Sequence, residues 1–131
     1  MKTMDTKTSF SQAHLENRLW ANELEFYRDE INIYQIHFED LLSRNTSLQQ
    51  SNEADLFQNQ IARHQDLINQ LENELLNAEK QMAIYAQTHT AADLDEVIIA
   101  DHYQFRQRMN AFKEEYQNWK NNLKRFETEW V

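Results

Sequence analysis

The sequence predicts an all-α protein, an up-down-up antiparallel bundle of three long helices with coiled-coil-like heptad seams. The first observation is a line of mostly apolar residues between residues 57 and 89, spaced alternately by four and three positions. This is the pattern of a helix face packed along its length against another helix. The second observation is that the 131-residue chain contains no Gly and no Pro, the residues on which tight turns depend. Long helices joined by a few polar loops need neither.

The first predicted helix covers about residues 10–45. Ser9 and Gln12 form a capping-box pattern at its start, in which each side chain satisfies a free backbone donor. Its apolar seam is interrupted by Asn17 and fades in the polar stretch 45–52, which we expect to be a loop.

The second and third predicted helices cover about residues 53–88 and 91–130. Thr90 and Asp93 give another capping-box pattern, which places the break between these helices just before it. One unbroken helix over residues 53–130, dimerising to cover its seam, is the alternative.

The chain is long enough for one domain with a hydrophobic core. We assign residues 9–131 to a single helical-bundle domain. The polar segment before it, residues 1–8, is expected to be flexible.

Composition argues against several functional classes. With 22 acidic residues against 13 Lys and Arg, the formal net charge is −9, so we expect neither nucleic acid nor a membrane as a partner. The absence of Gly argues against phosphate-binding loops, and the absence of Cys excludes thiolate catalysis and Cys-ligated metals. No apolar run is long enough to span a bilayer. We therefore expect a cytoplasmic, non-catalytic protein that carries no cofactor.

A second line of apolar residues runs along the first predicted helix, outside its seam. Asn22 and Asp29 interrupt it, and we place it about 120° around the helix from the seam. It is either buried against a second helix inside the bundle or exposed as a contact surface. The leading hypothesis is an interaction module that self-associates, or binds a protein partner, through this line. Its residues, called the apolar stripe below, are Leu15, Leu19, Phe26, Ile33 and Ile36.

Five histidines raise the alternative hypothesis of a metal- or small-ligand-binding bundle. The Glu-x-x-His spacing of di-iron bundles is missing. If residues equidistant from a loop lie at equal heights, the bundle has two polar layers. These are His37, His64 and Tyr116 in mid-bundle, and His14, His89 and Asp93 at one end. His102 is placed beside Ala78 and Leu24, which offer no ligand.

The ordinary interpretation of the histidines does not involve a metal ion. His64 and His102 lie on the seams and are expected to be buried with one hydrogen bond each, whereas His14 and His89 are expected to be solvated. Because burial disfavours the charged imidazole, the pKa of His64 is predicted to fall below its ordinary value.

Overall fold

The computed structural model describes residues 9–88 and 96–130 of the chain. The helices are α1 (Phe10–Ser43), α2 (Thr46–Gln49), α3 (Asn52–Thr88) and α4 (Glu96–Trp130). These described residues contain no β-strand, and the predicted all-α bundle of three long helices is confirmed. The segment predicted to be flexible, residues 1–8, and the second break lie outside the described residues.

The start of α1 is the predicted capping box. The Ser9 hydroxyl accepts a hydrogen bond from the Gln12 backbone N–H at 3.2 Å, and the Gln12 side-chain oxygen accepts one from the Ser9 backbone N–H at 3.1 Å. Two otherwise free donors of the first turn are thus satisfied.

The stretch predicted to be a loop between the first two helices contains a helical turn, α2. The Asn45 side chain accepts a hydrogen bond from the backbone N–H of Leu48 at 3.3 Å and so caps this turn. Leu48 is fully buried and anchors the turn to the core. One apolar residue within a polar stretch is too weak a signal to be recognised by periodicity.

The three long helices run up, down and up. Phe57 at the start of α3 contacts Phe38 near the end of α1, with ring centroids 6.1 Å apart, and Phe126 near the end of α4, at 4.5 Å. At the other end of the bundle, Trp20 of α1 contacts Phe105 of α4 at 5.2 Å. Helices α1 and α4 are therefore parallel and α3 is antiparallel to both, which excludes one unbroken helix from residue 53 to 130.

The core is formed largely by the apolar lines of the long helices, with Leu48, Ala54 and Ile99 added to them. Asn17, which interrupts the first seam, is also buried, and its amide donates to the Glu79 carboxylate at 2.8 Å and to the Met82 sulfur at 3.4 Å. The buried amide of Asn17 thus has its hydrogen-bond acceptors on α3, across the α1–α3 interface. The largest fully buried apolar side chains are Tyr116, Phe38, Leu24, Ile31, Leu48, Ile68, Met109 and Leu123.

Candidate interaction surface

The apolar stripe of α1 is exposed along its whole length. Its five side chains are between 53% and 63% exposed. Burial inside the bundle, one of the two interpretations that the sequence left open, is therefore wrong for this chain.

The position of the stripe on the helix explains its exposure. Leu15 follows buried Ala13 by two positions, and Phe26 follows buried Leu24 in the same way. Two positions turn an α-helix by about 200°, so the stripe lies nearly opposite the core and not at the expected 120°. It faces away from both α3 and α4.

The two polar residues within the stripe, Asn22 and Asp29, are exposed as well. Near the middle of the stripe, the Phe26 ring contacts Tyr27 edge-on, with centroids 5.8 Å apart. A shallow surface depression beside it is lined by Leu19, Asn22, Glu23, Phe26 and Tyr27. The surface of the stripe is therefore not flat beside Phe26.

A ladder of three ion pairs joins one edge of the stripe to α4. The carboxylates recur at heptad intervals on α1 and the cations recur at heptad intervals on α4. The pairs are Glu16 with Arg106 at 2.6 Å, Glu23 with Lys113 at 2.9 Å, and Glu30 with Lys120 at 3.2 Å. The hydrogen bond to Glu23 raises the pKa of Lys113. The carboxylates along this edge are thus neutralised within the chain.

The other edge of the stripe is attached to α3. Arg28 forms an ion pair with Glu72 and a hydrogen bond with Asn69. Further along, the Gln65 amide donates to the Gln35 side chain at 2.8 Å. Both edges are connected to the bundle, so the stripe is displayed on a helix that its neighbours hold in place.

His102 is buried and hydrogen-bonded to Glu16, at the start of the ladder. The distance from Nε2 to Oε1 is 2.7 Å, and because a carboxylate only accepts, Nε2–H is the donor. Arg106 donates to both oxygens of the same carboxylate, at 3.0 and 2.6 Å. Burial alone would raise the pKa of Glu16, but the hydrogen bonds from Arg106 and His102 outweigh it and hold that pKa below its ordinary value. The predicted neighbours of His102 included no polar residue, so this partner was missed.

His64 is buried, as predicted, and its Nδ1–H donates to the Gln60 carbonyl at 2.7 Å. Its Nε2 lies 3.6 Å from the Glu115 carboxylate and has no hydrogen-bond partner among the described residues. Burial lowers the pKa of the imidazole, although the Gln60 hydrogen bond and the Glu115 charge oppose this. The predicted direction of the shift is confirmed.

Tyr116 lies beside His64, as the predicted heights required, with ring centroids 5.6 Å apart. Its hydroxyl is turned to α1, where it donates to Glu30 at 2.9 Å. Burial and this hydrogen bond raise the pKa of the phenol. Lys120 binds the same carboxylate, so the hydroxyl belongs to the ion-pair ladder.

His37, the third member of the predicted mid-bundle layer, does not join the other two. It is exposed, because the core position on that turn of α1 is taken by Phe38. At the height of His64, α1 presents Gln35, the partner of Gln65. Equal distance from a loop fixes height along the bundle but not the direction of a side chain.

The predicted layer at the end of the bundle is described only in part. Nδ1 of half-exposed His14 lies 2.7 Å from the Glu79 carboxylate, whereas His89 and Asp93 fall outside the described residues. Within residues 9–88 and 96–130, no three His, Asp or Glu side chains are grouped so that they could hold a metal ion. A metal site that includes His89 and Asp93 stays a prediction.

An open groove of about 310 Å³ lies between α3 and α4. Its lining includes Met82, Ile98, His102 and Phe105. Neither His64 nor Tyr116 contributes to it, so the groove does not unite the residues that suggested a ligand site in mid-bundle.

Comparison with known proteins adds no functional information. No family model, no curated protein and no solved structure matches the chain. None of the described helices is both long and apolar enough to cross a membrane. Any functional inference therefore rests on the geometry of the bundle and its surface.

Proposed function

We propose that this protein is a cytoplasmic, non-catalytic interaction module that self-associates through the apolar stripe of α1. The supporting observation is the exposure of all five large apolar side chains on one face of one helix. The stripe runs from Leu15 to Ile36, about 32 Å of helix. Isolated exposed apolar residues are ordinary on a protein surface, whereas several large apolar side chains aligned on one helix face are typical of an interface.

The other exposed apolar side chains of the described residues do not form such a face. Val97, near the start of α4, is one of them. Leu56, Leu76 and Ile84 all lie on α3 and are more than half exposed. At about 100° per residue they point in three directions, each about 80° or more from the next. They are therefore scattered surface residues, and they provide matched controls for the stripe.

The ladder along the edge of the stripe also favours self-association. Two copies of an acidic protein repel each other, and carboxylates beside a contact surface add to that repulsion. Here Glu16, Glu23 and Glu30 each have a cation of α4 as a partner. The edge of the stripe that faces α4 therefore carries little uncompensated charge.

The experiment measures the solution mass of two double variants. The stripe variant combines Phe26→Glu and Ile33→Glu, and the control variant combines Leu76→Glu and Ile84→Glu. All four positions are similarly exposed, so neither variant should affect the fold. We expect the stripe variant to have the mass of one chain in solution, 15.9 kDa, and the control to keep the mass of the wild type. Each copy of the stripe variant loses about half of the free energy of burying a Phe and an Ile, and it brings two charges into the contact. Together these effects are expected to weaken association by at least about a hundredfold.

Two results would count against the proposal. One is a stripe variant whose mass equals that of the wild type at every concentration. The other is loss of association in both variants, because the effect would then come from added charge and not from the stripe. Circular dichroism and thermal unfolding of all three proteins establish that the fold is preserved.

A further inference from the structure

We infer that the partner at the stripe is a second copy of this chain in antiparallel orientation, with the two-fold axis passing near Phe26. This inference rests on the proposed self-association and adds its geometry. The stripe is nearly symmetric about Phe26, because Leu19 and Ile33 lie seven residues before and after it. Leu15 and Ile36 extend the stripe by similar distances at its two ends. An antiparallel pair therefore places the five apolar residues of one copy near apolar residues of the other.

The two polar residues of the stripe discriminate between orientations. In a parallel pair, each Asp29 would face the Asp29 of the second copy, so two carboxylates would meet inside an apolar contact. Like charges in such a position are strongly unfavourable. In the antiparallel pair, Asp29 of one copy faces Asn22 of the other, whose amide donates to a carboxylate. The midpoint between Asn22 and Asp29 falls next to Phe26, at the centre of the apolar residues.

The ladder fits the same arrangement. An antiparallel two-fold axis near Phe26 brings Glu23 of one copy close to Glu30 of the other. Both carboxylates already have cationic partners, Lys113 and Lys120, within their own chains. The antiparallel contact therefore does not place bare carboxylates against each other along this edge.

Distances between spin labels test the orientation directly. The chain contains no Cys, so a single introduced cysteine is the only labelling site. We use Glu25→Cys and Glu39→Cys, two exposed positions on the same edge of the stripe and two heptads apart. Neither substitution removes a stripe residue. Pulsed dipolar spectroscopy then measures the distance between equivalent labels of the two copies.

The antiparallel pair predicts a short distance between labels at position 25 and a separation of about 40 Å at position 39. A parallel pair predicts short distances, below about 25 Å, at both positions, because packed helix axes lie 8–10 Å apart. Short distances at both positions would overturn the orientation while leaving the proposed self-association intact. No dipolar coupling at either position, with the mass of a single chain, would instead contradict the proposed function itself.

A charge substitution provides a second, independent readout. In the antiparallel pair, the cation introduced by Asn22→Lys lies opposite the carboxylate of Asp29 in the second copy. The two charges attract, so the dimer dissociation constant is expected to fall several-fold. In a parallel pair the two introduced lysines face each other, and the dissociation constant rises. Asn22→Gln is the neutral control and is expected to leave the constant unchanged. Weaker association of the lysine variant relative to this control would overturn the antiparallel arrangement.

Discussion

The imidazole Nε2 of His102 lies 2.7 Å from the carboxylate of Glu16, across the interface between α4 and α1. This contact joins a buried histidine to the first step of the ion-pair ladder, because Arg106 binds the same carboxylate. Glu16 thus satisfies a polar group of the core and also lies beside the apolar stripe. The interior and the proposed interface share this residue.

Removing that carboxylate is expected to cost more stability than removing its neighbour in the ladder. Glu16→Ala leaves buried His102 without its hydrogen-bond acceptor, which costs about 1–3 kcal/mol. Glu23→Ala breaks only a partly exposed ion pair with Lys113, which costs about 0–1 kcal/mol. Urea unfolding at neutral pH measures both values. Equal losses in the two variants would contradict the role assigned to Glu16.

Stability is expected to decrease below about pH 6.5 because of His64. Its pKa is lowered in the folded protein, so the unfolded chain binds a proton at this position first as the pH falls. The stabilisation by the neutral imidazole is complete above the pKa of histidine in the unfolded chain, about 6.5. It is lost as the pH falls from there towards the lower pKa of His64 in the folded protein. The slope is at most about 1.4 kcal/mol per pH unit. Glu115 and Arg63 face the imidazole and have opposing effects on its pKa.

The variant His64→Leu tests this pH dependence. The informative quantity is the slope of the free energy of unfolding against pH, not the stability at one pH. We expect the free energy of unfolding to depend less on pH between 7.5 and 5 than in the wild type. This pH range lies above the ordinary pKa of a carboxyl group. Because the pKa of Glu16 is lowered further, the stability that Glu16 contributes is lost only at pH values below this range. The exposed His37→Asn is the control. A slope in His64→Leu that matches the wild type would show that a neutral buried imidazole does not contribute.

The hydroxyl of Tyr116 is expected to contribute to stability through Glu30. Tyr116→Phe keeps the buried ring but leaves the carboxylate with Lys120 alone, and a hydrogen bond to a charged group contributes about 1.5–3 kcal/mol. Tyr34→Phe is the control, because the ring of Tyr34 packs edge-on against Trp119 and its hydroxyl has no hydrogen bond to any residue that the structure describes. Thermal and urea unfolding should show a larger loss for the first variant.

A non-catalytic interaction module requires no metal ion. We expect elemental analysis of untagged protein to give well below one equivalent of zinc or any other divalent transition metal. A stoichiometric metal that is lost in a variant lacking His14 and His89 would favour the alternative function at the end of the bundle. Neither His14 nor His89 is a stripe residue, so this result would leave the self-association to be tested separately.

Much of the fold follows from the periodicity of the sequence. The four-three spacing predicted the buried face of α3, and the Ser9 capping box predicted the start of α1. The heights of His64 and Tyr116 were also correct, because two long antiparallel helices stay in register. The short helix α2 was missed, because it depends on one buried side chain, Leu48, within a polar stretch.

The polar contacts were harder to predict. His37 was predicted to lie beside His64 but points away from the core, since its neighbour Phe38 faces the core. Glu16 was overlooked because it lies one position off the lines of apolar residues. A signal for it exists in the sequence, since three carboxylates at heptad spacing on the first helix match three cations at heptad spacing on the last. Matching charge periodicity between helices would have found the ladder.

The most direct test of self-association is the mass of the wild-type protein in solution. Light scattering coupled to size exclusion measures it at two widely separated protein concentrations. We predict a mass near twice 15.9 kDa at the higher concentration. A mass of 15.9 kDa at both concentrations would mean that the stripe does not bind a second copy, and the central claim would be contradicted.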